Sequence, residues 1–173
     1  MPVLFYGLCM ALWLHSPNTI ELLSSIISMT PTSDALTDVI KAFDEGLERY
    51  KNGEDPETLI PVFKDLCDRA PKNATVWACL AWLYLLTDKP QAALKAAQKS
   101  VKIDAKHPQA QVNLALALLE NKRSGVRPHV ELAGQIMALD REIYNTVAEN
   151  IEDGLARNPD WESLKRVKNW LLT

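Results

Sequence analysis

The sequence predicts an all-α fold, a stack of antiparallel helix pairs with a C-terminal capping helix, and three observations carry that reading. Apolar positions recur every 34 residues, turn-forming clusters fall between them, and two of the segments so bounded are apolar on every side. Tyr50 is followed at this period by Tyr84 and Leu118, Phe43 by Trp77 and Gln111, Leu47 by Ala81 and Ala115, and Gly46 by Leu80 and Leu114. In the second half of the unit Pro56 matches Pro90, Leu59 matches Ala93, Phe63 matches Ala97 and Leu66 matches Ser100, while Pro71 finds Ala105 at its place.

The punctuation lies at Asn52-Gly53-Glu54-Asp55-Pro56, Ala70-Pro71-Lys72-Asn73, Thr87-Asp88-Lys89-Pro90 and Lys106-His107-Pro108. Proline in a first helical turn is tolerated because the N–H it lacks would have no partner there. Pro61, five residues after Pro56, predicts a late start or a kink unless it still falls in the first turn. Trp77 to Leu86 is apolar throughout, and Val112 to Leu119 is interrupted only by Asn113. Such helices must be covered on more than one side. Ala81, Ala93 and Ala115 give the small surfaces that close helix packing needs, with Trp77 and Tyr84 expected to fill the holes between neighbours.

Around this middle the chain divides into residues 1–28, an apolar extension expected to stand outside the fold; 29–122, the repeats (about 40–73, 74–107 and a third from 108); and 123–173, a degenerate repeat with capping helices. Residues 3–14 are apolar but shorter than the ~20 residues of a spanning helix. No Lys or Arg precedes Lys41, so the basic region of a secretory signal is missing. Two readings of 1–28 stay open, a tail upstream of a second start at Met29 and a segment that docks on a membrane or partner. After Pro128 the register is lost. Leu132, Ile136, Leu139, Ile143, Val147, Ile151 and Leu155 predict one long helix or two in series over 129–157. Asn158-Pro159 ends it. Asp160 is the expected N-cap of a last helix with Trp161, Leu164, Val167 and Leu171 on one face and Lys165, Arg166 and Lys168 opposite.

Charge and chemistry narrow the function classes. The formal net charge is −3, too little basic excess to favour nucleic acid. Residues 71–127 hold nine basic against three acidic side chains, between flanks that are acidic. Lys95, Lys99, Lys102 and Lys106 share one helix face, as a solvated surface or as a seat for an anionic surface. Apart from Asp104, three residues before His107, no Cys, Asp or Glu stands at short helical spacing from His15, His107 or His129, so no metal site is expected. The three cysteines are widely spaced without CxxC, which fits a reducing, cytoplasmic setting, and no phosphate-binding glycine loop or GxSxG occurs. The sequence predicts no enzyme and no cofactor.

The residues Trp77-x2-Leu80-Ala81-x2-Tyr84, followed by Ala93, Ala97 and Ser100, resemble the tetratricopeptide-repeat (TPR) family pattern W-x2-L-G-x2-Y…A-x3-F. Departures are the order Gly46-Leu47, Ala97 at the aromatic place and Ala105 at the closing proline. The resemblance implies a right-handed superhelix whose first helices line a concave groove for a peptide or helix of another protein. Carried over, that groove is lined by Asp44 and Glu48, then Ala78, Trp82 and Leu85, then Val112, Asn113 and Leu116. Asp44 and Glu48 stand where some members place groups that grip a C-terminal carboxylate, which speaks against such a ligand. The implied role is an adaptor, scaffold or assembly factor for an amphipathic, basic-flanked helix or extended segment. The alternative is a peripheral membrane-associated assembly factor using the N-terminal segment or the lysines. Two candidates within the chain could cover the groove, the last helix, with Lys165, Arg166 and Lys168 facing Asp44 and Glu48, and residues 3–14.

Overall fold

A computed structural model describes residues 33–172, and the apolar extension expected over residues 1–28 lies outside them. Among the described residues there are eight helices and no strand: α1 Ser33–Lys51, α2 Pro56–Arg69, α3 Ala74–Leu86, α4 Pro90–Ile103, α5 Pro108–Glu120, α6 Val126–Leu139, α7 Arg141–Arg157 and α8 Glu162–Leu172. Helices α1 to α6 form three antiparallel pairs, each helix packed on the next, and α3 also packs on α5. This is the TPR-like all-α stack expected from the repeat.

Local chemistry sets the boundaries. Asp55 accepts from the Glu57 N–H at 2.9 Å and Asn73 from the Val76 N–H at 3.2 Å, each opening a helix, with Pro56, Pro90 and Pro108 in first turns. The turn inside each pair closes on a residue in left-handed conformation: Gly53 (φ 83°), Asp88 (φ 51°) and Lys122 (φ 52°). Behind each, an N–H reaches back to a carbonyl of the last helical turn, Glu54 to Arg49, Lys89 to Tyr84 and Arg123 to Leu118, at 2.9 to 3.1 Å. These turns repeat in geometry without repeating in sequence.

Three local expectations are corrected, and one that was left open between two readings is decided. Pro61 neither delays nor ends α2; Glu57, whose carbonyl loses its helical donor there, and Pro61 itself are exposed to water. Trp77 and Tyr84 are half-buried, not buried plugs. The stretch after Pro128 is two helices, broken at Asp140, whose extended backbone lets its carboxylate accept from the N–H groups of Glu142 (2.8 Å) and Ile143 (3.3 Å). The last helix begins at Glu162, two residues beyond Asp160, and the Trp161 carbonyl receives its first helical bond from Lys165 at 3.0 Å.

Close approach explains the inverted order at Gly46-Leu47. A Cβ on Gly46 would stand 3.1 Å from the Phe63 ring, so the missing side chain lets α2 press Phe63 onto α1, where it meets Phe43 edge-on.

Candidate protein-binding groove

Of the eight side chains expected to line the groove, six are buried: Ala78, Trp82, Leu85, Val112, Asn113 and Leu116. Helices α7 and α8 cover this side. Helix α7 crosses from α6 back to α1, and α8 then packs on α5, α6 and α7. Trp82 is the centre of the seat. Its indole meets the Trp161 ring at 5.6 Å, and Gly154 approaches so closely that a Cβ there would lie 2.7 Å from Trp82 and 2.7 Å from Leu164.

The far end of α7 is held by polar groups. Trp82 Nε1 donates to Tyr50 Oη at 2.9 Å, and Tyr50 Oη in turn donates to the Asp153 carboxylate. Burial first, and then the Asp153 charge, hold the Tyr50 hydroxyl far above its ordinary pKa, so it stays a donor. Arg157 closes the arrangement. Its guanidinium lies 4.2 Å over the Tyr50 ring, pairs with Asp153 at 3.1 Å and donates to the Tyr50 carbonyl at 3.1 Å.

Across the middle, amides replace apolar contact. Asn150 Nδ2 donates to Gln109 Oε1 (2.8 Å), Gln109 Nε2 to Asn113 Oδ1 (2.8 Å), and Asn113 Nδ2 to the Ala78 carbonyl (2.9 Å). Asn113 therefore ties α5 to α3 and α7. Beneath lies a cavity of about 40 Å³ bordered by Tyr50, Ala78, Trp82, His107, Thr146 and Asn150. That exceeds the ~10–15 Å³ a water needs and falls short of the space a benzene-sized ligand takes. The Asn150 Oδ1 is buried and has no hydrogen-bond partner among the described residues. The seat of α7 is thus part apolar and part polar.

The two acidic residues stand apart from this cover. Asp44 is half-buried and Glu48 exposed, on an open trough of α1 shared with Thr37, Ile40 and Lys41. Partial burial raises the Asp44 pKa, with Lys51 opposing. The charges on α8 expected to meet these acids are engaged elsewhere: Lys165 with Glu162, Lys168 with Glu152 at 2.6 Å, and Arg166 over the Trp170 ring. The lysines Lys95, Lys99, Lys102 and Lys106 are all exposed, but only the first three lie on α4; the helix ends at Ile103, so Lys106 falls in the following turn and off the expected helix face.

His107 is buried as the N-cap of α5. Its Nδ1 accepts from the Ala110 N–H at 3.2 Å, and its Nε2 lies 3.1 Å from Thr75 Oγ1. Burial lowers its pKa to about 4. Cys67, also buried, has its thiol pushed up to about 12 by burial, away from nucleophilic reactivity. Among the described residues no cluster of His, Cys, Asp and Glu could hold a metal, and no helix is long and apolar enough to cross a membrane.

The last helix, one of the two expected occupants, does reach the groove through Trp161 and Leu164; what the sequence reading missed is α7 beside it. Its signal is present in hindsight: Thr146, Asn150 and Gly154, four apart, form a small and polar stripe beside Val147 and Ile151, and all five are buried.

No family model matches the chain, and no curated protein matches it. Among solved structures the chain is similar to the first TPR of Spaghetti (RPAP3) bound to HSP90 peptide SRMEEVD, at 15% identity and a TM-score of 0.47, over 78% of this chain and 94% of that one. The fold is TPR-like. That statement rests on the chain's own helix order and contacts, with second and third TPR-like pairs opening at Ala74 and Pro108, 34 residues apart.

Proposed function

We propose that this TPR-like chain is a non-enzymatic protein-interaction module whose groove receives an amphipathic helix of a partner in competition with its own α7. The observation that supports it is the occupant itself. Helix α7 brings an apolar face, Val147 and Ile151, and a basic end, Arg157, the chemistry expected of the ligand. The acidic end at Asp44 and Glu48 is left open, so a basic flank has a place to land before the resident helix is displaced. The cavity and the amide contacts under α7 make its seat less favourable than an all-apolar one of equal area.

The test uses a fluorescein-labelled peptide of residues 141–157 and fluorescence anisotropy, with wild type beside the double variant Asp153→Asn, Arg157→Ala. Loosening the resident helix removes charge-assisted bonds worth roughly 1.5–3 kcal/mol, so the peptide binds the variant at least about tenfold more tightly. Equal affinities, or no saturable binding to either protein, would overturn the proposal. Circular dichroism establishes that the variant stays helical.

A further inference from the structure

We infer that the opposite side of the stack carries a second docking site, a basic trough between α2 and α4 that receives an extended acidic segment of a partner protein. The floor comes from α3, where Trp77, Leu80 and Tyr84 face the trough. Lys64 stands on the α2 rim, Lys95 and Lys99 on the α4 rim, and Asp68 is the one acid along it. Leu80 is buried while Trp77 and Tyr84 are half-buried, so the floor offers aromatic surface to a ligand.

The charges point to the occupant. None of Lys64, Lys95 and Lys99 has a carboxylate within ion-pair distance among the described residues, a state shared with Lys72, Lys102, Lys106 and Lys122, whereas Lys41, Lys51, Lys89, Lys165 and Lys168 each have one. Helix α4 carries three lysines and no Asp or Glu. A helix exposed only to water ordinarily mixes both signs, because like charges one turn apart repel. Lys99 lies 6.0 Å over the Trp77 ring, and Trp77 Nε1 donates to the Pro71 carbonyl at 3.1 Å, so ring and ammonium are held beside each other.

Spacing selects an extended ligand. Lys95 and Lys99 are one helical turn apart, about 6 Å along the axis, close to the roughly 6.6 Å between alternate residues of an extended chain. Acidic side chains at alternate positions therefore meet the α4 rim in register, while one apolar side chain between them reaches Trp77 and Tyr84.

The probe is an N-acetylated, C-amidated fluorescent octapeptide alternating glutamate and serine with one central phenylalanine, measured by anisotropy at low and high salt. Amide shifts of isotopically labelled protein locate its site. Saturable, salt-sensitive binding with shifts at Lys64, Trp77, Tyr84, Lys95 and Lys99 is expected. The exposed pair Lys95→Glu, Lys99→Glu should weaken it by about tenfold or more, and Lys102→Glu, Lys106→Glu, in the last turn of α4 and in the loop beyond it, by no more than about threefold. Trp77→Ala should reduce the advantage of the phenylalanine peptide over one lacking it. Equal losses in both lysine pairs would overturn the site in favour of bulk charge, as would shifts confined to α7 and its seat. Binding of anionic vesicles or an oligonucleotide, with none of the peptide, would overturn the protein ligand. Self-association abolished by Lys95→Glu, Lys99→Glu without peptide binding would replace it by a second copy of this chain.

Discussion

Two glycines inside helices make a matched pair that tests how α7 sits. Replacing a mid-helix glycine by alanine favours the helix by roughly 0.5–1 kcal/mol when nothing stands in the way. At Gly134 the nearest atom to the new methyl is Leu171 Cδ2 at 3.6 Å, ordinary contact, so Gly134→Ala should stabilise the protein by that amount. At Gly154 the same methyl would meet Leu164 and Trp82 at 2.7 Å. Neither can step aside freely: Leu164 has no exposed surface, and Trp82 is held by Tyr50 and Trp161. Overpacking of this kind costs about 1–3 kcal/mol, which outweighs the helix gain and leaves Gly154→Ala destabilising by roughly 1 kcal/mol. Urea unfolding followed by circular dichroism reads both variants as midpoint shifts at unchanged slope. If Gly154→Ala stabilised as Gly134→Ala does, α7 would not be pressed onto Trp82, and the account of a self-covered groove would be refuted.

Two further outcomes follow from single residues. His107 has its folded-state pKa lowered to about 4 from 6.5 by burial, so below pH 6.5 the unfolded chain binds a proton that the folded chain refuses. Stability should fall by up to about 3 kcal/mol as pH drops from 6.5 to 4, and His107→Asn, which keeps a capping acceptor, should remove most of that slope in urea titrations at each pH. Lys122→Gly should raise stability by roughly 0.5–1 kcal/mol, since a side chain in left-handed conformation is strained where Gly53 at the equivalent turn is not. An unchanged or lower unfolding midpoint would show that the Lys122 turn carries no strain.

The sequence by itself determined the helices and their pairing. A 34-residue recurrence of Phe43 with Trp77 and of Tyr50 with Tyr84, and prolines at 56, 90 and 108, are local signals, and the caps at Asp55 and Asn73 act within three residues of their donors. The all-apolar run from Trp77 to Leu86 also required cover on several sides, and nine of α3's thirteen residues are buried. What supplies that cover was decided by tertiary structure alone. The stripe on α8 reads as a good occupant of the groove, with basic residues to suit Asp44 and Glu48, yet Lys165 and Lys168 pair with Glu162 and Glu152 and Arg166 lies over the Trp170 ring. Helix α7 shares the place with it, and α8 reaches the groove through Trp161 just before its first turn, 5.6 Å from the Trp82 ring, and through its contacts with α5. A glycine that admits Trp82, a tyrosine that donates to Asp153 103 residues away, and an amide chain from Asn150 to Ala78 exist only once four distant segments meet. Local propensity reports what each segment prefers within a turn or two; which apolar face wins a shared surface depends on the fit of side chains far apart in the chain, and periodicity carries no record of that fit.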